Sequence, residues 1–364
     1  MRELDGSIAG GQFVRSALAL SVLRNEPIRI ENVRGDRSTP GLRHQHLAVL
    51  ETMVAICDAE VAGAELGSET VEFDPALEGS ASDDPDRGRL PGGTYATDIG
   101  TAGSVTLLFE ALLPLATILD APLSITATGG TDVKWSPPID YVRHVKLPLA
   151  GRYGLVATCE ADRRGFYPEG GGRATLRLAP STLDPIDLTE RGPIEDVRLY
   201  STEAASLADR DVAHRQAEGA LERLDRDGET DRSESDGAPD AIGERCETTA
   251  ESRCPGSAIV IRVDHGTGVA GFSALGERGK PAERVGEDAA DAANRWLDGT
   301  APVDRHVADQ LLVLLAVAGG RVRVPAVTDH VDASCDLLRS FGIEPSLEDD
   351  GETTIVSIES PIDG

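Results

Sequence analysis

The chain repeats one order of secondary structure three times, and this repetition constrains its fold more than any other feature. In each repeat the sequence predicts a helix, a strand, a second helix and then two strands joined by a turn. Apolar residues recur at every third or fourth position in the predicted helices and form short runs in the predicted strands. The first helices of the repeats begin near Gly11, Val105 and Asp304. Self-similar order of this kind is typical of a repeat architecture.

We therefore expect an α+β fold in which three αβαββ units surround a pseudo-threefold axis, each with two helices on a four-stranded sheet. Residues 186–300 interrupt the repetition between the second and third units and carry predicted strands and helices of their own. This pattern predicts a main domain of residues 1–185 and 301–364, with residues 186–300 as a smaller inserted α/β domain. Within the insertion, residues 225–253 are rich in acidic and small polar side chains and lack apolar periodicity, which predicts a mobile loop.

The formal net charge is -28, and only three of the 35 basic residues are lysines. The apolar runs are nevertheless long and regular, unlike those of a disordered chain. A densely acidic surface on a folded chain is typical of a protein from a high-salt cytoplasm, where it keeps the protein hydrated and soluble. At about 1 M salt the Debye length falls to roughly 3 Å, so net charge no longer excludes a nucleic-acid partner.

No feature of the N-terminus resembles a signal peptide, and no apolar run approaches the roughly 20 residues of a membrane span. The five cysteines are odd in number and fit no zinc or disulfide framework. Cys57 and Cys335 fall on apolar faces, so we expect them in the core. We expect a soluble, cytoplasmic protein with no membrane partner.

A polar, titratable cluster opens the first helix of the third unit, from Asp304 to Gln310. Helix N-termini present unpaired N–H groups and partial positive charge, so they suit phosphates. The alternative is that Asp304 only caps an ordinary buried helix. Glycine turns at Gly10 and Gly100 open helices in the other two units. The three helix starts would converge if the units surround one axis.

Residues 34–46 form a local positive island in this acidic chain. They include three arginines and two histidines but only one acid. Arginine pairs with phosphate through two parallel hydrogen bonds, and the island leads into a predicted helix N-terminus. A phosphate site competes here with a solvated loop held by salt bridges.

The sequence contains neither a phosphate-binding loop signature nor the Lys-x-Asp-Gly segment of lysine-dependent nucleotidyl ligases. A covalent nucleotidyl intermediate would therefore require a histidine, whose neutral imidazole can attack a phosphate when a partner holds its other nitrogen. His306 and His330 lie at the first turns of the two helices in the third unit. His144 and His214 lie on charged helix faces, which predicts surface positions.

Over nearly its whole length the chain resembles the RNA 3′-terminal phosphate cyclase family. The resemblance is specific because many segments occur in the family's order. These segments are Leu4-Asp5-Gly6-Ser7, Gly10-Gly11-Gln12-Phe13-Val14-Arg15, Arg37-Ser38-Thr39-Pro40-Gly41-Leu42, Gln45-His46-Leu47, Gly63-Ala64-Glu65-Leu66-Gly67-Ser68, Gly129-Gly130-Thr131-Asp132-Val133-Lys134-Trp135-Ser136-Pro137-Pro138, Arg164-Gly165, Pro168, Gly170-Gly171-Gly172, Leu275-Gly276-Glu277-Arg278-Gly279 and His306-Val307-Ala308-Asp309-Gln310-Leu311.

The resemblance implies a three-step reaction. A histidine attacks the α-phosphate of ATP and forms a covalent adenylate, the adenylate passes to an RNA 3′-phosphate, and the neighbouring 2′-hydroxyl displaces AMP to leave a 2′,3′-cyclic phosphate. The family's nucleophile maps to His330, and its adenine-contacting aromatic maps to His306. The resemblance further implies ATP contacts by Val307, Ala308, Asp309, Gln310 and Glu110, and RNA or phosphate contacts by Gln12, Arg15, Arg37, Arg43 and Gln45. It implies ATP and a divalent metal ion, Mg²⁺ or Mn²⁺, as cofactors, and an RNA with a 3′-phosphate end as partner.

The chain departs from the family pattern at three places. Its glycine-rich opening is shortened and lacks a glutamate that helps to hold metal in the family. Glu110 stands where the family has a glutamine that helps to hold ATP, which adds negative charge near a polyphosphate. Ala333-Ser334 stands where the family has Thr-Asn after the nucleophile.

Two other functions remain open at the level of sequence. A non-catalytic, cyclase-like ribosome-assembly factor would lack the nucleophilic histidine, so His330 favours an enzyme. An enolpyruvyl transferase uses similar repeated units, but it needs several lysines and arginines around a phospho-sugar or shikimate. Three lysines in the whole chain disfavour that function.

Overall fold

The computed structural model describes residues 1–7, 10–77, 88–224, 242–359 and 362. This part of the chain has the expected α+β class, with four four-stranded sheets, three of which share one topology. In spatial order the strands are Arg2–Asp5, Ile28–Glu31, Val71–Asp74 and Glu60–Ala62 in the first sheet; Gly93–Asp98, Leu123–Gly129, Gly172–Leu178 and Ala157–Arg163 in the second; and Ile186–Leu188, Gly320–Val324, Thr353–Ile358 and Ser346–Asp350 in the third.

Each of these sheets has an opening strand that the sequence did not predict. The opening strand pairs in parallel with the second strand, and the remaining pairs are antiparallel. The units are therefore βαβαββ rather than αβαββ. The third unit takes Ile186–Leu188 from the segment predicted as the insertion, because this strand pairs with Gly320–Val324.

The helices of the three units pack against one another beneath their sheets. Their apolar faces form one continuous core to which all three units contribute, with Leu18, Phe109 and Leu315 fully buried. These helices are Gly11–Arg24 and His44–Cys57 in the first unit, Val105–Leu112 and residues 139–151 in the second, and Arg305–Gln310, Leu312–Ala318 and Asp329–Ser340 in the third.

The helix at 139–151 contains a π-helical turn. An α-helical turn at Ile139–Tyr141 passes into the π turn Val142–Lys146 and returns to α-helix at Leu147–Gly151. A π turn rotates the following side chains relative to a regular helix and is frequent at functional sites. Lys146, the last residue of this turn, is buried.

The insertion forms a fourth sheet with its own core. In spatial order its strands are Glu244–Ala250, Ile194–Ala204, Ser257–His265 and Gly268–Leu275. The helices Val212–Arg223 and Ala282–Leu297 cover this sheet, and their apolar residues form a core separate from that of the three units.

The predicted mobile loop is wrong where it overlaps the strand Glu244–Ala250, which pairs in parallel with Ile194–Ala204. Most side chains of this edge strand are exposed and polar, so no apolar alternation marked it in the sequence. Residues 225–241 of the predicted loop lie outside the described residues.

Two smaller predictions are confirmed and one is wrong. Cys57 and Cys335 are buried, and His214 is exposed. His144 is half-buried rather than a solvated surface residue, because its ring stacks on Tyr200 at 3.8 Å between centroids. Burial lowers the pKa of His144 to about 4. None of the described helices is both long and apolar enough to cross a membrane.

Candidate active site

The N-terminus of the Gly11–Arg24 helix lies at the centre of the candidate site. Its cap residue, Gly10, has no side chain to occupy the first N–H groups, which are the groups that attract anions. A Cβ on Gly10 would lie 3.4 Å from Nη2 of Arg37 and 4.0 Å from Cε1 of His330. The positive island of the first unit and the histidine of the third unit therefore meet at this glycine.

His46 supplies a neutral donor at the same helix start. Its Nδ1 accepts a hydrogen bond of 3.2 Å from the Arg43 N–H, so the ring proton lies on Nε2. A Cβ on Gly11 would lie 2.1 Å from this Nε2, so only glycine fits there. Burial, followed by the charges of nearby arginines with Arg15 the strongest, lowers the pKa of His46 to about 3. A neutral donor packed against a helix N-terminus adds to the groups there that favour an anion.

The residues around His46 have unused donors. Nε2 of Gln45 is buried and has no hydrogen-bond partner among the described residues, a state that costs about 1–3 kcal/mol unless a ligand satisfies it. Arg34 holds the loop by donating to the carbonyl oxygens of Thr39 and Gly41. Arg37 and Arg43 make no ion pair within the described ranges, so both can receive an anion.

A second part of the site is an open cleft along the same helix, with a space of about 410 Å³ that includes open solvent. Helices of all three units line it with polar side chains. These side chains are Gln12, Arg15, Ser16, Glu110, Lys146, Asp309 and Gln310.

Arg15 and Lys146 are the cations of this cleft, and both are buried. Lys146 Nζ lies 3.4 Å from Oε1 of Glu110 and donates to Oε1 of Gln310 at 2.9 Å. Arg15 has no ion pair within 4.0 Å in the part of the chain described by the structure. Burial lowers the pKa of Arg15, and the charges of Glu110 and Asp309 oppose that shift. A buried guanidinium without a direct partner is unfavourable, and an anion in the cleft would complete its pairing.

Asp309 is the titrating group of the cleft. Burial, followed by the negative charge of Glu110, raises its pKa to about 6, while Lys146 opposes the shift. The extra carboxylate of Glu110, one of the departures from the family pattern, therefore alters the protonation of its neighbour.

We expect Asp309→Asn to gain stability relative to the wild type as pH rises. The folded-state pKa of about 6 lies above the ordinary 3.8, so ionisation of Asp309 destabilises the fold progressively between those pH values. From pH 5 to 7.5 the variant should gain about 1–1.5 kcal/mol relative to wild type. Denaturant unfolding at constant high salt measures this difference, with the exposed Asp336→Asn as control. A difference that does not change with pH would contradict the assignment.

Asp304 caps the Arg305–Gln310 helix and is itself buried, so the capping alternative is correct for this residue. Its carboxylate accepts from the N–H groups of His306 and Val307 at 2.8 and 3.1 Å, from the Tyr141 hydroxyl at 2.7 and 2.8 Å, and from the Gly271 N–H at 2.9 Å. This network fixes the helix that carries Asp309 and Gln310 to the second unit and to the insertion.

The other residues of this helix that were predicted to contact ATP differ in solvent exposure. Val307 and Ala308 are buried in the core, so their side chains do not reach the cleft. His306 is exposed, and its ring meets Tyr141 edge-on at 6.1 Å between centroids.

His330 is the second residue of the Asp329–Ser340 helix, and its side chain is exposed. It borders a smaller hollow of about 230 Å³, which also contains Gly10, Gln12, Ser16 and Ser334. Nε2 of Gln12 donates to Oγ of Ser334 at 3.3 Å. Because Gln12 and Ser16 also line the larger cleft, the two spaces share one wall.

Of the helix starts that meet at Gly10, only that of Gly11–Arg24 is one expected from the sequence. They belong to the helices Gly11–Arg24, His44–Cys57 and Asp329–Ser340, as the positions of His46 and His330 show. The Arg305–Gln310 helix reaches the cleft through its C-terminal residues instead. Gly103, from the turn at 100–104, approaches Gln45, since a Cβ on Gly103 would lie 3.4 Å from that residue's Cβ.

Sequence reasoning missed Lys146 and the role of His46. Lys146 lies in the π turn, whose altered register no periodicity could show. His46 lies in the positive island, three residues after the helix cap Arg43. A side chain at that position often accepts a hydrogen bond from the N–H of the cap residue, so the sequence contained a signal for this contact.

No group of three or more His, Cys, Asp and Glu side chains within the described ranges is arranged to hold a metal ion. The two carboxylates of the cleft, Glu110 and Asp309, share it with Lys146 and Arg15. These residues therefore do not form a cation site on their own.

Comparison with known proteins identifies the family. The family model described as RNA 3′-terminal phosphate cyclase matches residues 7–344. A protein of Halobacterium salinarum named RNA 3′-terminal phosphate cyclase is 47% identical over 98% of this chain and 99% of its own length. Proteins of the same name from Methanopyrus kandleri and Ectopseudomonas mendocina are 39% and 36% identical, each over 93% of this chain and 92% of their own length.

A solved structure of the enolpyruvyl transferase NikO from Streptomyces tendae matches with a TM-score of 0.24 and 12% identity, over 98% of this chain and 65% of that chain. This likeness is too weak to bear on fold or function. The family match and the relatives instead agree with the resemblance that the order of motifs showed. The chain belongs to the RNA 3′-terminal phosphate cyclase family.

Proposed function

We propose that this chain catalyses the ATP-dependent conversion of an RNA 3′-terminal phosphate to a 2′,3′-cyclic phosphate through a histidine adenylate at His330. The observation that carries the proposal is the exposed His330 beside Gly10, next to a cleft whose buried Arg15 has no ion pair among the described residues. The family membership and the named relatives support the same activity.

In the first step a ring nitrogen of His330 attacks the α-phosphorus of ATP, so an N–P bond forms and the bond to pyrophosphate breaks. An oxygen of the RNA 3′-phosphate then attacks that phosphorus, and the bond to His330 breaks. Finally the 2′-oxygen attacks the 3′-phosphorus, loses its proton and expels AMP. The attack uses the lone pair of the ring nitrogen that carries no proton.

The larger cleft is the proposed ATP site. Arg15 and Lys146 would offset the phosphate charge, and Gln12 would orient the chain of phosphates, because it lines both the cleft and the hollow beside His330. Gln310 and Asp309 lie in the same cleft. The exposed ring of His306 would stack on adenine, and Val307 and Ala308 would act through their backbone because their side chains are buried.

A divalent ion, Mg²⁺ or Mn²⁺, would enter bound to the phosphates of ATP rather than to a preformed protein site. Mg²⁺ commonly keeps several waters and contacts one or two carboxylates in addition to phosphates. Glu110 and Asp309 are the carboxylates of the cleft that could supply such contacts.

Arg37, Arg43, Gln45 and His46 form the proposed site for the RNA 3′-phosphate. Arg37 and His46 lie at one helix N-terminus, and Arg43 and Gln45 neighbour His46 in sequence. Among the described residues the two arginines make no ion pair and the buried Gln45 amide has no hydrogen-bond partner, and the imidazole of His46 is a neutral donor. Each of these groups donates hydrogen bonds, which matches a phosphate that only accepts them.

Incubation with ATP labelled at the α-phosphate, first alone and then with an oligonucleotide 3′-phosphate, tests the function. The expected result is a covalently labelled protein that loses its label as cyclic phosphate ends form. A ribosome-assembly factor or an enolpyruvyl transferase would acquire no label, and that result would refute the proposal.

Replacing Arg37 or Arg43 with methionine should weaken the RNA step and spare self-adenylation. Losing one hydrogen bond to a charged group costs about 1.5–3 kcal/mol, which corresponds to roughly a 10- to 150-fold loss in kcat/KM for RNA. Arg284→Met on the exposed face of the insertion is the control. Equal losses in adenylation and cyclisation would indicate a general structural defect instead.

We also propose a high-salt cytoplasm as the protein's setting and a two-domain organisation. The net charge of -28 and the similarity to a Halobacterium salinarum protein support the first. The separate apolar cores support the second, with residues 1–185 and 301–364 in one domain and most of residues 186–300 in the other.

A further inference from the structure

Trp135 and Tyr167 are exposed in a chain that buries most of its aromatic residues. They are 94% and 75% exposed, and no other aromatic residue of the chain exceeds about one third. Large aromatic surfaces are unfavourable in water unless something covers them. Trp135 also has φ of 63°, a region that bulky side chains rarely adopt. The fold thus holds a tryptophan in solvent without any packing gain.

The two aromatic residues lie on adjacent loops. The N–H groups of Thr131 and Asp132 donate to the carbonyl of Gly165 at 2.9 and 3.1 Å, and Asp132 bridges to Phe166. Trp135 follows this junction by three residues on one loop, and Tyr167 directly follows Phe166 on the other. The junction therefore keeps the two exposed rings on one part of the surface.

This surface is continuous with the proposed RNA 3′-phosphate site. The N–H of Gly130 donates to the carbonyl of Gly103 at 2.7 Å, and a Cβ on Gly170 would lie 2.8 Å from Cα of Ala102. A Cβ on Gly103 would in turn lie 3.4 Å from Cβ of Gln45. The turn at 100–104 thus contacts Gln45 on one side and, on the other, the two loops that carry Trp135 and Tyr167, which we call the aromatic loops.

Positive side chains flank the aromatic loops. Arg163 Nε donates to the carbonyl of Gly171 at 2.7 Å. The guanidinium of Arg253 lies across Gly171, with Nε 2.5 Å from the place of a Cβ. Arg253 is exposed and has no ion pair among the described residues. Lys134 pairs with Glu277 at 3.1 Å, and Glu169 is the acid of the Tyr167 loop.

We infer that Trp135 and Tyr167 stack on bases of single-stranded RNA that precede the 3′-phosphate, so that the substrate extends from Gln45 over the turn at 100–104 to the aromatic loops. This inference rests on the proposed function. Stacking tolerates any sequence because every base has an aromatic face. At about 1 M salt, where charges are screened beyond roughly 3 Å, such contacts persist when long-range attraction to the backbone is lost.

The steady-state test compares two substrates, a ten-nucleotide RNA 3′-phosphate and a dinucleotide 3′-phosphate. Trp135→Ala and Tyr167→Ala should each raise KM for the longer substrate roughly tenfold. They should leave KM for the dinucleotide and self-adenylation by ATP unchanged. Trp135→Phe and Tyr167→Phe should restore most of the lost affinity. Val156→Ala, an exposed apolar residue elsewhere in the second unit, is the matched control.

Tryptophan fluorescence gives a direct binding readout, because Trp296, the second tryptophan, is 7% exposed in the core of the insertion. The ten-nucleotide RNA should quench the wild-type protein and fail to quench Trp135→Phe. Quenching that persists in Trp135→Phe would overturn the inference, as would alanine variants with unchanged KM for the longer RNA. A surface that serves a protein partner would give that second result.

The two proposals fail in different ways. Wild-type protein that acquires no label from ATP refutes the proposed function, whatever the aromatic variants do. Wild-type protein that labels and cyclises normally, but shows no dependence on Trp135 or Tyr167 with the longer RNA, refutes only the extended RNA surface.

Discussion

His330→Ala is expected to abolish the covalent adenylate. Removal of a nucleophile commonly lowers the rate of the chemical step by a factor on the order of 10³ or more. His330 is exposed at the start of its helix, away from the core, so the variant should fold with nearly unchanged stability. Mass spectrometry of the protein after incubation with ATP measures the loss of AMP attachment.

Two control histidines make this result specific. His44 begins the His44–Cys57 helix and His306 lies in the first turn of the Arg305–Gln310 helix, and both are exposed. His44→Ala and His306→Ala should remain labelled, although His306→Ala should need more ATP. Label that persists in His330→Ala and disappears in His306→Ala would move the nucleophile to His306.

A second readout separates the nucleophile from a residue that only binds RNA. An RNA whose 3′-phosphate already carries AMP needs only attack by its own 2′-hydroxyl. His330→Ala should cyclise this activated RNA at a rate close to that of the wild type. If the variant fails with it, His330 contributes to the last step as well, and the assignment as nucleophile alone is wrong.

The sequence predicted the repeat because apolar periodicity can be recognised within a short segment. It did not predict strands whose hydrogen-bonded partner lies far away in the chain. The first helices of the three units begin at Gly11, Val105 and Arg305, where the apolar periodicity predicted them. Ile186–Leu188 is three residues long, and its partner Gly320–Val324 lies beyond the insertion. Nothing within a short window of sequence could assign such a strand to the third sheet.

The residues of the candidate site likewise include some that the sequence predicted and one that it did not. The family resemblance implied Gln12 and Arg15 as RNA or phosphate contacts and Asp309 and Gln310 as ATP contacts. The structure gathers all four around one cleft. Lys146 enters that cleft from a π turn in a different unit. Its role depends on three-dimensional packing between units, for which the sequence carries no periodic signal.

Arg164→Leu should destabilise the protein by about 3–5 kcal/mol, because it leaves buried carboxylates without their cation. Arg164 Nη1 donates to both oxygens of Asp132 at 3.1 and 3.3 Å, and Nη2 donates to Asp140 and, at 3.2 Å, to Thr202 of the insertion. In the variant Asp140 would keep Arg143, at 3.1 Å, and the hydroxyl of Thr202. Among the described side chains, Asp132 would keep only the hydroxyl of Thr131.

The loss should depend on pH in a defined direction. Burial raises the pKa of Asp132. Burial also acts to raise the pKa of Asp140, but the charge and hydrogen bonds of Arg164 outweigh it and the pKa is lowered. The stabilisation that Arg164 gives Asp140 is therefore present above about pH 4 and is lost as the carboxylate protonates. Arg164→Leu should be most deficient at neutral pH and approach the wild type as pH falls.

Denaturant unfolding at two pH values, in constant high salt, measures both effects. Arg177→Leu is the matched control, because Arg177 pairs with Glu160 at 2.8 Å on the exposed face of the same sheet, and exposed pairs contribute about 0–1 kcal/mol. Arg164→Lys should recover only part of the loss, since an ammonium group cannot bridge two carboxylates as a planar guanidinium does. Equal destabilisation by Arg164→Leu and Arg177→Leu, or a deficit that grows as pH falls, would show that the buried network does not hold the second unit to the insertion.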